Sequence, residues 1–120
     1  MILVTGGAGF IGSNYLYKLH RLDSAQSVVC VDSLTYAANV DYVQPLIDCG
    51  FVRLETVDIT DKHAVQSVFD RYQPRHVVHF AAESHVDRSI RDLNPFVSTN
   101  ITGTINLLTA SLTVSRFAKF

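Results

Sequence analysis

Tryptophan is absent, methionine occurs once and cysteine twice, so neither a disulfide framework nor a cysteine-rich metal knuckle organises this chain. Cys30 lies inside an apolar run and Cys49 beside Gly50. Both are expected to be free thiols, with Cys30 buried. Proline is scarce, three in 120 residues, and no stretch reads as a Pro/Ser-rich linker, a low-complexity tract or an internal repeat. Excess charge of one sign is also missing. Ten basic residues stand against eleven acidic ones without a clustered run, which leaves no electrostatic footprint for nucleic acid or an anionic membrane surface. No apolar run approaches the length that crosses a bilayer, and the N-terminus reads directly as a strand, without the regions of a secretion signal. A cytoplasmic protein with a local, pocket-type site is expected.

What is present is an alternation of strand-like and helix-like segments along the whole chain. Residues 2–5 read as a strand and residues 10–22 as a helix burying Ile11, Tyr15 or Leu16, Leu19 and Leu22. The run 28–31 is a strand covered on both sides, 33–39 a loop, and 40–48 a short helix with Pro45 near its middle. Residues 51–57 alternate as a third strand. The turn at 58–61 offers Thr60 or Asp61 as N-cap to a helix whose buried stripe is Val65, Val68, Phe69 and Tyr72. Gln73-Pro74 ends it. A fourth strand is expected at 76–82, a polar loop at 83–94, and a long helix from Pro95 that buries Val97, Ile101, Thr104 or Ile105, Leu108 and Leu112. Residues 116–120 look like the opening of a fifth strand. The expected fold class is α/β, a Rossmann-like doubly wound parallel sheet truncated at about the fifth strand, with residues 1–120 forming one incomplete domain.

Between the first strand and helix lies Gly7-Ala8-Gly9-Phe10-Ile11-Gly12, and Asp32 follows at the end of the second apolar run. Strand before, helix after and an acid at that distance make this spacing a dinucleotide fingerprint. Gly7 is expected to permit the tight turn, Gly9 to let the backbone approach a pyrophosphate, and Gly12 to let the helix pack on the strand. Phosphates would sit on the helix N-terminus, where free N–H groups and the dipole favour negative charge. Asp32 would accept from the adenosine ribose hydroxyls and repel a 2′-phosphate, which implies NAD rather than NADP. Ligands of such sheets bind beyond the carboxyl ends of the strands. The loops there, at 6–12, 32–38, 58–59 and 81–91, hold most of the unusual polar residues.

Thr5-Gly6-Gly7-Ala8-Gly9-Phe10-Ile11-Gly12 resembles the fingerprint of the extended short-chain dehydrogenase/reductases, which act on nucleotide sugars. Within that family, Val31-Asp32-Ser33-Leu34-Thr35-Tyr36-Ala37-Ala38-Asn39 and Ala81-Ala82-Glu83-Ser84-His85-Val86-Asp87-Arg88-Ser89 resemble the dTDP-glucose 4,6-dehydratase branch, and Thr99-Asn100-Ile101-x-Gly103-Thr104 also matches. The resemblance implies NAD as cofactor and dTDP-glucose or a similar nucleotide sugar as substrate. Gly6, Gly7, Gly9, Phe10, Ile11 and Gly12 would lie at the pyrophosphate, Asp32, Ser33, Leu34 and Thr35 around the adenosine ribose, and Asp58 and Ile59 at the adenine. Phe80, Ala81, Ala82, Glu83 and Ser84 would run along the nicotinamide ribose, with Thr99 reaching in from the long helix. Ser84, His85, Asp87 and Arg88 would face the sugar nucleotide. A homodimer formed through helices of this domain is a further implication.

Several of these residues have plainer alternatives. Asp58 is also placed to cap the following helix, and His85 to order the site rather than hold a metal. Glu83 fits a general acid or base, or a loop carboxylate bonding backbone amides, while Arg88 and Arg91 fit phosphate contacts or a solvated face. Ala38 stands where the resembled family has glycine and would be strained if its φ were positive.

The family's chemistry needs a Tyr-x-x-x-Lys pair and a Thr-Asp-Glu stretch, and neither occurs here. The residues four before Lys18, Lys62 and Lys119 are Asn14, Asp58 and Ser115. The expectation is therefore the NAD-binding half of a nucleotide-sugar dehydratase, with the substrate domain absent and no catalytic residue in this chain, inactive alone. A fragment of another NAD-dependent nucleotide-sugar epimerase or decarboxylase, or a non-catalytic NAD-binding module, are the alternatives.

Overall fold

Apolar runs bounded by turns supply the strands, and amphipathic segments between them supply the helices that cover both faces. A computed structural model describes residues 1–84 and 92–120. β1 (Ile2–Thr5), β2 (Val28–Asp32), β3 (Val52–Thr56) and β4 (His76–His79) form a parallel sheet in the order β3-β2-β1-β4. On the open side of β4, Lys119 makes a parallel bridge to His76, and Val77 N–H donates to Lys119 O at 2.9 Å. This bridge lies within the fifth strand expected at 116–120. β4 stops three residues short of its expected end. Its partner β1 finishes at Thr5, where Gly6 turns the chain with φ +68°, so the ladder ends at Phe80 N–H donating to Thr5 O at 3.0 Å.

Alternation along β2 sorts the core into two layers. Val28 and Cys30 pack with Leu16 of α1 (Phe10–Leu22), Leu46 of α2 (Gln44–Asp48) and Phe51. Val29 and Val31 pack on the other face with Val65, Val68 and Phe69 of α3 (Lys62–Tyr72), and with Leu107 and Ala110 of a later helix. Fully burying side chains such as Leu16 or Phe69 stabilises by about 1.5–3 kcal/mol each.

Asp61, not Thr60, caps α3, its Oδ1 accepting from His63 and Ala64 N–H at 3.0 Å each. Of the expected stripe, Val65, Val68 and Phe69 are buried and Tyr72 is partly buried against them, and Gln73 closes the helix at φ +45° before Pro74.

Three expectations are corrected. In α1, Leu16 is buried and Tyr15 and Leu19 pack half-buried against the core as expected, but Ile11 and Leu22 are 67% and 75% exposed, and Gly12 and Ser13 complete the packed face. Gly12 sets this rotation, because a Cβ there would stand 2.2 Å from Gly6 O. The single helix expected at 40–48 is a 3-10 turn, Val40–Tyr42, followed by α2. Pro45 therefore sits in a first turn, where a missing N–H costs nothing.

The last helix shows the largest difference. It begins with Pro95 in the first turn of α4 (Asn94–Phe96), winds as a π-helix over Val97–Gly103, and continues as α5 (Thr104–Ser111). Val97, Ile101, Leu108 and Leu112, expected to be buried, are exposed by 44% to 88%, and of the alternatives Thr104 and Ile105 it is Thr104 that is half-buried. The buried face is Gly103, Asn106, Leu107, Ala110, Ser111 and Val114. Polar anchoring decides the rotation: Asn106 Nδ2 donates to Ile59 O at 3.0 Å and Thr60 O at 3.1 Å. Gly103 lets the helix close on Ile59, whose Cδ1 lies 2.6 Å from where a Cβ would stand.

Candidate functional site

In β3-β2-β1-β4 order the chain reverses direction of winding at β1, and a crevice opens beyond the carboxyl ends of β1 and β4. Its walls come from the loops that leave all four strands. Gly6, Gly9, Asp32, Ser33, Thr35, Asp58, Ile59, Phe80, Ala81, Ala82, Glu83 and Thr99 line one cleft, as do Val31, Ala37, Ala38 and Val57.

The glycine-rich turn divides its work differently from the sequence expectation. The left-handed residue of the turn is Gly6, whose Cβ would strike Ala81 N at 2.5 Å. Gly7 instead packs on the core, since a Cβ there would meet Cys30 Sγ at 2.4 Å. At Gly9 only Gly6 O lies near, at 3.3 Å, so the backbone faces open space toward the cleft. Gly9 is also the N-cap of α1 and offers no side chain to the first-turn amides. The N–H groups of Phe10, Ile11 and Gly12 therefore have no intrahelical acceptor and form a cradle for an anion. Phe10 and Ile11 carry side chains that are 77% and 67% exposed, outside the cleft lining.

Asp32 is the buried acid of the cleft, 8% exposed. Its Oδ2 accepts from Ala8 N–H at 2.9 Å and its Oδ1 from Leu34 N–H at 2.9 Å, so the carboxylate ties the glycine turn to the loop after β2. Each oxygen retains a lone pair for a further donor. The loop bends through Leu34 at φ +54°, which costs on the order of 1 kcal/mol in a non-glycine residue. Ala38 is outside the left-handed region, so the strain expected there falls on Leu34 instead. Leu34 packs against the core beneath the loop rather than lining the cleft.

Asp58 does not cap α3. Its Oδ1 accepts from Thr60 N–H at 2.8 Å within its own turn, and the carboxylate stays at the cleft. Ile59 is 4% exposed and serves both the core and the cleft floor.

At the β4 end, Glu83 Oε2 accepts from Tyr36 Oη at 3.1 Å. Its backbone is held by Asn100, whose Oδ1 accepts from Glu83 N–H at 2.9 Å while Nδ2 donates to Glu83 O at 3.0 Å. Sequence reasoning missed Asn100, His79, Thr5 and Thr104 as supports of this wall. The signal was polar side chains placed within otherwise apolar elements. Ser84 is exposed and off the lining. His85, Asp87 and Arg88, with Arg91, lie outside the described residues.

Burial, then the Asp32 charge, pushes the Cys30 thiol up to about 12 against a weaker opposing bond from the Gly7 backbone, which leaves it chemically inert. Among the described residues no cluster of three or more His, Cys, Asp or Glu side chains has the arrangement of a metal site. No helix among them is long and apolar enough to cross a membrane.

A family model described as GDP-mannose 4,6 dehydratase matches residues 3–120. The dTDP-glucose 4,6-dehydratase of Neisseria meningitidis serogroup B is 49% identical over 110 residues, covering 92% of this chain and 31% of that protein. A dTDP-glucose 4,6-dehydratase from Streptomyces venezuelae, solved with NAD bound, superimposes with TM-score 0.83 at 38% identity, over 94% of this chain and 36% of that one. The UDP-glucose 4-epimerase of Thermotoga maritima, solved with UDP-glucose, gives 0.83 at 32% identity, over 95% and 34%. The chain spans about a third of the length of the curated relatives it matches. A match that runs from the first strand through the fifth-strand bridge carries the fold and its glycine turn together: the chain belongs to the GDP-mannose 4,6 dehydratase family.

Proposed function

We propose that this chain is the NAD-binding part of a nucleotide-sugar 4,6-dehydratase, converting dTDP-glucose to dTDP-4-keto-6-deoxyglucose. The observation that carries the cofactor assignment is Asp32, buried at the end of β2 beside an open glycine turn, with no basic residue in Ser33-Leu34-Thr35. The cleft fits the group: a Cβ is absent where a pyrophosphate would approach at Gly9, and no side chain caps the first-turn amides of α1. Bound NAD supplies a hydride acceptor and donor at its nicotinamide ring.

The chain's own groups do the holding. Gly6, Gly7, Gly9, Phe10, Ile11 and Gly12 present the turn and its amides to the pyrophosphate. Asp32, Ser33 and Thr35 hold the adenosine ribose, with Leu34 anchoring their loop from beneath and the Asp32 charge excluding a 2′-phosphate. Asp58 accepts from the adenine amine and Ile59 underlies the ring. Phe80, Ala81, Ala82 and Glu83 form the nicotinamide wall with Thr99, and Ser84 follows at its outer edge. Ser84, His85, Asp87 and Arg88 meet the sugar nucleotide. Residues 1–120 contribute no Tyr-x-x-x-Lys pair, so the proton transfers are not assigned to groups in this chain.

The dehydratase reading, over an epimerase one, is supported by the Glu83-to-Ser89 string and by relatives such as the Neisseria protein. We further infer a homodimer, supported by the exposed apolar face of Val97, Ile101, Ile105, Leu108 and Leu112. A cytoplasmic setting belongs to this reading and is supported by Cys30 and Cys49 being free thiols. Heat-denaturing the purified protein and identifying the released nucleotide by mass spectrometry tests the cofactor: NAD is expected, and NADP or an unrelated nucleotide would contradict it.

A further inference from the structure

A hydroxyl has one proton to give, and that arithmetic fixes the state of His79. Thr104 Oγ1 lies 2.7 Å from Asn100 O, a carbonyl that only accepts, so the Thr104 proton is committed there. His79 Nε2, 3.1 Å from the same Oγ1, is then the donor. A neutral imidazole carries one N–H, which leaves Nδ1 bare to accept from Thr5 Oγ1 at 2.6 Å. Thr5 Oγ1 accepts in turn from Ala81 N–H at 3.3 Å. Each donor meets an acceptor, and all bonds run in one direction.

The other protonation states do not fit. An Nδ1–H would take Thr5 as its acceptor and displace the Thr5 hydroxyl proton, on a residue with no exposed surface. Burial also holds the imidazole below its ordinary range.

The chain of bonds ends where Asn100 grips Glu83, so residues 81–83 are held at one end by Thr5 and at the other by Asn100. The geometry points to His79 as a positioning residue: as the Nε2–H tautomer it links Ala81 to Asn100 through Thr5 and Thr104, and so holds residues 81–83 against the nicotinamide end of the cleft. This role rests on the NAD reading of the cleft, whereas the tautomer follows from the hydrogen bonds alone.

Long-range proton–nitrogen NMR on the protein labelled at histidine nitrogens tests the tautomer, with His79 assigned by the signal lost in His79→Gln. A protonated Nε2 and a bare Nδ1 are expected at neutral pH; a protonated Nδ1 would overturn the proposal. The positioning role is tested with Thr104→Val, which removes the hydroxyl at constant shape, and Thr104→Ser, which keeps it. Thr104→Val is expected to weaken NAD binding roughly three- to tenfold, with Thr104→Ser restoring it and AMP affinity unchanged in both. Unaltered NAD affinity in Thr104→Val, or an equal loss for AMP, would overturn positioning. If the unsubstituted protein binds neither AMP nor NAD, the cofactor reading fails and the positioning role with it, while the NMR result still decides the tautomer.

Discussion

Tyr36 and Glu83 meet across the mouth of the cleft, the phenol donating to Oε2 at 3.1 Å and joining the loop after β2 to the loop after β4. Tyr36 lies between the lining residues Thr35 and Ala37, and Glu83 is itself in the lining, so the bond would restrain a dinucleotide lying between the two loops. The bond is exposed and therefore weak, on the order of 1 kcal/mol or less. Tyr36→Phe is expected to raise the NAD dissociation rate a few-fold and leave the association rate near its original value, read by stopped-flow displacement. An unchanged dissociation rate would remove the bridge from the account of retention.

Gly9 and Gly12 separate affinity from stability. A side chain at Gly9 meets only Gly6 O in the protein, so Gly9→Val is expected to abolish NAD binding while shifting the thermal midpoint little. Gly12→Ala forces a Cβ against Gly6 O and Gly7 Cα, which destabilises by about 1–3 kcal/mol through overpacking. Denaturant titration and calorimetry on the two variants check this. Near-normal NAD affinity in Gly9→Val would show that the phosphate turn is misassigned.

His79 also predicts a pH dependence. Burial holds its pKa below the ordinary 6.5, so between the two values the unfolded chain binds more protons than the folded one. This stabilising contribution is complete above pH 6.5 and is lost as pH falls toward the lowered pKa. Neither β1 nor α5 carries a charged side chain; His76 of β4 and Lys119 of the bridge are the titratable groups of the adjoining strands. Thermal midpoints at about pH 7.5 and about pH 5.5 should differ more in the unsubstituted protein than in His79→Gln. Equal pH slopes would contradict it.

The thiols differ in the same way. Cys30 is buried and held near 12, whereas Cys49 is exposed. Mass spectrometry after brief alkylation of the folded protein should find one label, on Cys49. Rapid labelling of Cys30 without unfolding would show that the Gly7–Cys30 contact is looser than described.

Much of this was legible in the sequence because local signals and tertiary contacts agree. Strand β1 and helices α1 and α3 lie where apolar period and caps put them, and Asp32 sits where spacing from the glycine turn requires. The last helix was misread because its one continuous apolar stripe, Val97, Ile101, Ile105, Leu108 and Leu112, is the exposed face, while the face that packs carries Gly103, Asn106 and Ser111 beside Leu107 and Ala110. The choice between them was made by Asn106 bonding two carbonyls more than forty residues away, and by Gly103 meeting Ile59. The tight-turn role went to Gly7 rather than Gly6 for a related reason: the motif names three glycines, while the positive φ belongs to the residue before them. The Thr5–His79–Thr104 links join residues distant in sequence, and no local pattern announces them.

Asp32 is the residue that makes this an NAD site. Its carboxylate is 8% exposed, already bonded to two amides, and has no arginine or lysine in the following three residues to neutralise a 2′-phosphate. Isothermal titration of the purified protein with NAD and with NADP under one set of conditions is the most direct measurement. NAD is expected to bind, with NADP weaker by roughly ten- to a hundredfold from like-charge repulsion in a partly desolvated site. Equal or tighter binding of NADP would contradict the assignment.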